Sequence, residues 1–354
     1  MGVIMIHGTR RAAATVRHVR PVPIATAQGL VADVYAQVER DFGMLAPPVS
    51  LHSPAPEPLA ACWAVLRETL LARGTVARAT KEAVATAVSL GNACPYCVDV
   101  HSSALHGLAH GRESVLIADG NLDRIADPQL RALAHWARGS GAPTGGAPPV
   151  GAEAVPEVLG VAVVFHYINR MVNLFLPESP FPPRLPGGAR TLVRRVFGRM
   201  MGLTGGAPEP GASLALLPPA PVTADLGWTA GNPTVRDAFA RAGAAFDRAG
   251  RRSVPDSVRS LVTARLDGWD GEPPGPNRGW LTEAVADLSP ADRPAGRLAL
   301  LAAIGSYQST DRDIDTLRAA GAGDRELVEI AAWAGMAAAR RVGTLGVGPA
   351  ATRV

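Results

Sequence analysis

Apolar residues recur at helical spacing through most of this chain, and the stretches between those runs are punctuated by proline and glycine. From 25 to 42, Leu30, Val31, Val34, Tyr35 and Val38 share one helical face. Residues 43–57 are proline-punctuated and read as a loop that resists helix, with His52 as a surface loop histidine. Residues 58–74 give a strong helix signal, with Pro58 early and Gly74 as C-cap. Cys62 within it has no nearby His or acid at helical spacing and reads as a small buried hydrophobe. A further helix begins near Lys81-Glu82 after Thr80, runs to Leu90 and is broken at Gly91-Asn92. The next opens at Cys94–Cys97 and runs to about Gly107. Residues 112–120 and 127–139 read as two more helices, and 142–151 as a loop. Residues 152–175 form a long apolar helix in which Pro156 is tolerable only near the start. After a broken stretch, 176–232, with a short helix around 189–202, the pattern is helical again over 233–249, 255–267, 278–287, 290–308, 311–320 and 323–343.

Composition fits this pattern. Hydrophobic residues make up 47% of the 354 residues and aromatics 5%, and abundant alanine suits close-packed helices better than sheets. The predicted class is all-α. The expected organisation is a lead-in at 1–20, a helical domain at 21–175, a Pro/Gly-rich connector at 176–232 and a second helical unit at 233–354. The two halves echo one another: 254–269 resembles 79–94, and 324–346 resembles 152–175. A different local offset sets 306–323 against the cysteine-bearing helix. Neither offset finds a second cysteine pair, which suggests two tandem degenerate helical repeats with one site.

The formal net charge is +4, and Lys81 is the single lysine. The arginines are scattered among acids without a stripe or interleaved aromatics, so nucleic acid is not an expected partner. Three cysteines cannot form a disulfide framework. The first twenty residues lack a long apolar core and carry arginine throughout, so no secretory signal is expected. The runs VLGVAVVF and LALLAAI are short of a membrane span, and no membrane association is expected. A reducing cytoplasm is the expected compartment, where a C-x-x-C is more often catalytic or metal-binding than structural.

One stretch gathers the chemistry. Residues 81–107, KEAVATAVSLGNACPYCVDVHSSALHG, carry Glu82, Cys94, Cys97 and His101 in the pattern E-x11-C-x-x-C-x-x-x-H. A thiol reacts as its thiolate. A position in the first helical turn and an imidazole one turn on are both expected to lower the thiol pKa here. Glu82, on the preceding helix, can orient His101 if the two helices pack antiparallel. Cysteines three apart at a helix start can close a disulfide with little movement, so one can resolve a sulfenic acid on the other, and the pair can exchange with an external dithiol. Geometry alone would let Cys94, nearer the helix end, attack first.

This motif, followed by a small-residue helix, resembles the AhpD-like alkylhydroperoxidases within the carboxymuconolactone decarboxylase superfamily. The resemblance is specific over about 78–107. It implies an AhpD-like helical bundle, commonly trimers or larger rings, and so a homo-oligomer. It also implies a hydroperoxide substrate reduced by a thiol pair that an external dithiol or a thioredoxin-like reductant recharges, with no cofactor. Carried over by position, Cys97 is the peroxidatic thiolate, Cys94 the resolving one, and Glu82 and His101 the proton relay. The chain departs from the family's better-known peroxidases in having Pro95-Tyr96 where they often place a histidine between the cysteines.

Rival readings use the same residues. Cys94, Cys97, His101 and Glu82 could in principle hold zinc, but a structural zinc usually joins two separated ligand pairs. A decarboxylase or lactone-processing enzyme would not need the thiols. A non-catalytic helical scaffold or partner-binding protein would leave them unreactive. His166, Arg170 and Asn173 share a face at i, i+4, i+7 and read as a buried polar network in preference to a pocket or a subunit contact.

Overall fold

The computed structural model describes residues 15–108, 110–142, 146–181 and 207–346, and these are all-α. The helices are α1 (Gly29–Phe42), α2 (Pro47–Ser50), α3 (Pro56–Leu66), α4 (Arg78–Gly91), α5 (Pro95–Gly107), α6 (Gly111–Ala118), α7 (Pro128–Arg138) and α8 (Val155–Phe175). They continue as α9 (Pro233–Ser253), α10 (Asp256–Asp267), α11 (Gly279–Ala284), α12 (Arg293–Ile304), α13 (Asp311–Ala319) and α14 (Asp324–Leu345). The short helix expected around 189–202, the first part of the lead-in and the last residues of the chain lie outside the described residues.

Local chemistry sets the helix ends. Gly43 closes α1 in the left-handed conformation, φ 85°, which costs a residue without a Cβ little. Asp127 opens α7 by accepting from the N–H groups of Gln129 and Leu130, with Pro128 in the first turn, and Asn232 opens α9 by accepting from Val235. Both place an acceptor where backbone donors would otherwise be orphaned.

One hydrophobic core runs through both halves. α4 packs against α5, α7 and α8, α12 packs against α13 and α14, and the halves meet where α8 lies on α14 and α3 on α9. α8 is the central strut. By length and hydropathy Ala152–Phe175 could cross a membrane, which the short apolar runs within it do not suggest, but 94% of the apolar window is buried inside the fold. Its hydrocarbon is satisfied by protein.

Two expectations for the loop at 43–57 are corrected. Pro47–Ser50 forms a short helix, because its prolines fall at the first two helical positions, where no N–H is needed. His52 is not a surface residue: it is fully buried, with Nε2 2.7 Å from the Tyr167 hydroxyl and Nδ1 3.2 Å from the Val49 carbonyl. Burial holds its pKa down to about 4, although nearby backbone carbonyls pull the other way. Cys62 is buried in the core, as its apolar neighbours imply.

Candidate functional site

The backbone between α4 and α5 places the sulfurs. Ala93 takes a positive φ of 49°, and Cys94 then occupies the N-cap of α5 with Pro95 at the first helical position. The Cys94 N–H donates to the Ser89 carbonyl at 3.0 Å. Asn92 donates its amide to Asn169 on α8 at 3.0 Å, and Asn169 donates to the Ser89 hydroxyl at 3.0 Å. Asn173 reaches the Asn92 carbonyl at 3.4 Å and the Ser306 hydroxyl at 3.2 Å. The turn carrying the dithiol is thus tied to the central strut by two asparagine side chains.

α5 runs back along α4, so that His101 meets Glu82 near the start of α4. His101 Nδ1 lies 2.7 Å from Glu82 Oε2. Arg78 holds the other carboxylate oxygen, with Nη2 at 2.6 Å and Nε at 2.8 Å from Oε1. Glu82 is fully buried. Burial pushes its pKa up, but the charges of Arg78 and His101 and their hydrogen bonds outweigh it, and the net shift is downward. An ionised Glu82 accepts from Nδ1–H and fixes the tautomer with Nε2 free for chemistry. The ring stands edge-on to Phe165, centroids 4.5 Å apart.

Cys94 and Cys97 are free thiols, each only 1% exposed. Cys97 and His101 line an apolar cavity of about 250 Å³ walled by Phe42, Val49, Leu66 and Phe165. Cys94 faces a different depression, beside Ala93, Val98, Asp119 and Glu178. The sulfurs therefore open on two sides of the turn.

The expected lowering of the thiol pKa is overturned for Cys97. Burial is the largest effect and raises it well above the ordinary thiol value, the Cys94 thiol raises it further, and only a hydrogen bond from Asn169 opposes this. The helix start and the imidazole favour the thiolate, but the loss of water around the sulfur outweighs them. Among the described residues no group of three His, Cys, Asp or Glu side chains is arranged to hold a metal ion.

Asn169 is the residue that sequence reasoning missed. It sits three residues after His166 in α8, fully buried and hydrogen-bonded to Cys97, and its only signal in the sequence is an amide side chain within an apolar helix. Of the trio, His166 and Arg170 form a buried network, whereas Asn173 is half-buried and bonds instead to Asn92 and Ser306. Arg170 donates to the carbonyls of His166 at 2.6 Å and Ala303 at 2.8 Å, and His166 Nε2 lies 2.9 Å from the Ser140 hydroxyl.

A model of the carboxymuconolactone decarboxylase family matches residues 57–138. That span contains Glu82, both cysteines of the pair and His101. An alkyl hydroperoxide reductase of Mycobacterium tuberculosis is 39% identical over 333 residues, covering 93% of this chain and 94% of that protein. The chain belongs to the carboxymuconolactone decarboxylase family. A likeness of 20% identity and TM-score 0.38 is found to a crystal structure of an alkylhydroperoxidase AhpD core, a peroxidase-related protein of Ralstonia eutropha, over 51% of this chain and 97% of that one. The matched region is α3 to α7, and α1, α2 and α8 to α14 lie outside it.

Proposed function

We propose that the protein is a thiol-dependent peroxidase that reduces hydroperoxides through Cys97 and Cys94. The observation that carries this reading is the shared lining of one apolar cavity by Cys97 and the Glu82-bound His101. A peroxide with a hydrocarbon group can be desolvated there against Phe165 and Val49. The named activity of the Mycobacterium tuberculosis relative supports the same class of reaction.

His101 Nε2 accepts the Cys97 proton while Nδ1–H remains on Glu82. The thiolate attacks the terminal peroxide oxygen, the O–O bond breaks, and the proton passes to the departing alkoxide to give an alcohol and a Cys97 sulfenic acid. The Cys94 thiol displaces water from that sulfur and closes the disulfide. An external dithiol or a thioredoxin-like protein then restores both thiols by exchange, and the separate depression beside Cys94 gives it an approach that does not pass through the peroxide cavity. The buried, protonated Cys97 makes the His101 base necessary, because little thiolate exists without it. A cytoplasmic setting and a homo-oligomeric assembly belong to this reading.

Mass spectrometry after limiting cumene hydroperoxide tests it. The wild type should carry a Cys94–Cys97 disulfide, and Cys94→Ser should accumulate sulfenic and then sulfinic acid on Cys97. Two intact thiols after stoichiometric peroxide would overturn the proposal in favour of a helical scaffold.

A further inference from the structure

A second cavity, of about 360 Å³, lies where the end of α4, the end of α7, the middle of α8 and the loops after α10 and α12 converge. Its wall includes Asn92, Arg138, His166, Arg170, Trp269 and Glu272. At its rim the loop after α10 comes very near the loop after α7. Gly271 has φ +99°, and a Cβ there would fall 1.4 Å from the Gly141 carbonyl oxygen, so only glycine permits the approach.

Arg170 is unusual in this wall. It is 7% exposed, and its guanidinium carbon lies 5.8 Å from the centre of the Trp269 ring. Its hydrogen-bond partners are the Ala303 and His166 carbonyls and, at 3.4 Å, His166 Nδ1. Among the described residues no carboxylate pairs with it. Burial lowers its pKa to about 10, with no opposing charge, so the group is a cation at neutral pH. His166 offers no compensation, since burial and then the Arg170 charge hold its pKa well down and keep the ring neutral. Elsewhere the fold follows the usual rule that a buried charge is paired: the buried Arg67 meets both Asp41 and Glu68 at 2.6 Å.

The same cavity has a second cation without a partner. Arg138 lines it, is exposed, and makes no side-chain hydrogen bond or ion pair among the described residues. Glu272 is the one carboxylate among the lining residues, is exposed, and is likewise without an ion pair. Two guanidinium groups thus face one carboxylate around a space large enough for a small molecule.

We propose that this cavity binds a small oxyanion, a carboxylate or phosphate group, on Arg170 and Arg138. A planar guanidinium with free N–H groups matches the paired oxygens of either anion. Trp269 screens one face from water, which strengthens the pairing. The site is distinct from the peroxide cavity and stands whether or not the thiols reduce peroxides. Its wall includes Asn92, two residues before Cys94.

The test uses the full-length protein and reads binding, not peroxide turnover. Thermal unfolding and titration calorimetry are followed with sodium phosphate and, separately, sodium succinate, with sodium chloride at matched ionic strength as control. The expected result is a saturable rise in Tm with one or both anions and none with chloride. The arm that responds identifies the anion class. Arg138→Gln should weaken binding about fivefold, and Glu272→Gln, by removing the opposing charge, should tighten it about threefold. Arg170→Gln should abolish binding; where that variant fails to fold, because the Ala303 and His166 carbonyls lose their donor, the other two variants decide. Either of them moving the affinity in the stated direction supports the site. Absence of saturable binding with both anions, or binding that neither variant moves in its stated direction, overturns the proposal and leaves Arg170 as a carbonyl clamp between α8 and α12.

Discussion

The turn from α4 into α5 and the turn from α12 into α13 make the same move with opposite chemistry. Each helix stops at a glycine, Gly91 or Gly305, and a new helix starts a few residues later. At α13 the N-cap is Thr310, which forms a capping box with Asp313; the Asp313 carboxylate also takes Arg278 at 2.7 Å and Arg297 at 3.4 Å. At α5 the N-cap is Cys94, which makes no side-chain capping bond. One turn satisfies the orphan donors of its helix. The other leaves them without a side-chain partner and puts two thiols there instead. Glu82, on the preceding helix, is committed to His101 through one carboxylate oxygen and to Arg78 through the other. The difference teaches that a helix of this chain can start with its donors capped or with them left open beside two thiols, and that only the second arrangement offers the proposed chemistry.

The sharpest break in that comparison is Cys97→Ser. It should reduce hydroperoxide consumption by more than about 10³-fold, since it removes the attacking atom, while leaving the helical circular dichroism unchanged. A variant that still consumes cumene hydroperoxide at a comparable rate would make the two turns functionally equivalent.

Next in size is the pair behind the thiol. His101→Ala and Glu82→Gln should each slow the single-turnover reaction by about 10²-fold, the usual scale of positioned proton transfer. Because they act as one unit, the double change should cost little more than either alone. Glu82 also gives an acid signature. Its folded pKa is lowered, so its contribution to stability is complete above the ordinary carboxylate value of about 4.3 and is lost as pH falls through the folded value. The fall in Tm below that pH should therefore be smaller in Glu82→Gln than in the wild type, and equal slopes would show that the carboxylate is not ionised in the fold.

A smaller effect follows from the upward shift of the Cys97 thiol. The free thiolate fraction is low at neutral pH and grows with alkalinity, so in His101→Ala, where no imidazole takes the proton, second-order oxidation by peroxide should rise about tenfold for each pH unit above neutral until the thiol titrates. The corresponding stability term has the opposite sense: the protonated thiol is favoured by the fold at low pH, and that preference is lost as pH rises through the raised folded pKa. A rate in that variant already flat below pH 7 would mean that burial does not suppress the thiolate.

The helices were largely legible because each carries its own signal: apolar spacing, proline at the start, and glycine at the end where the chain must leave, as at Gly43. What eluded local reading depends on partners distant in sequence. His52 reads as a surface residue until Tyr167, far along the chain, supplies a buried hydroxyl. The Cys97 pKa changes sign because side chains from α1, α3 and α8 exclude water from a helix start that would otherwise favour the anion. Asn169 was invisible as a site residue because its role comes only from the packing of α8 against the turn at Asn92. Arg170 was legible as part of a buried network, but not as a cation without a carboxylate, since that requires knowing everything around it.

The mildest perturbation addresses the other turn. Thr310→Ala removes the hydroxyl that caps α13, and an N-cap of this kind is worth about 1 kcal/mol. The Asp313 side chain still accepts from the Thr310 backbone N–H at 3.0 Å in the wild type, and that half of the box survives the substitution. The loss should therefore be confined to the cap, lowering the urea midpoint without changing the m-value. Peroxide consumption should be unchanged, because the turn from α12 to α13 carries no thiol and lines neither cysteine's cavity. The reciprocal variant, Cys94→Thr, gives the first turn a capping hydroxyl in place of its resolving thiol. It should gain stability of about the size that Thr310→Ala loses while losing the disulfide. A Thr310→Ala protein that turns over peroxide more slowly at unchanged stability would mean that the second turn acts on the first through α8 and α14, and that the two halves are coupled in function as well as in shape.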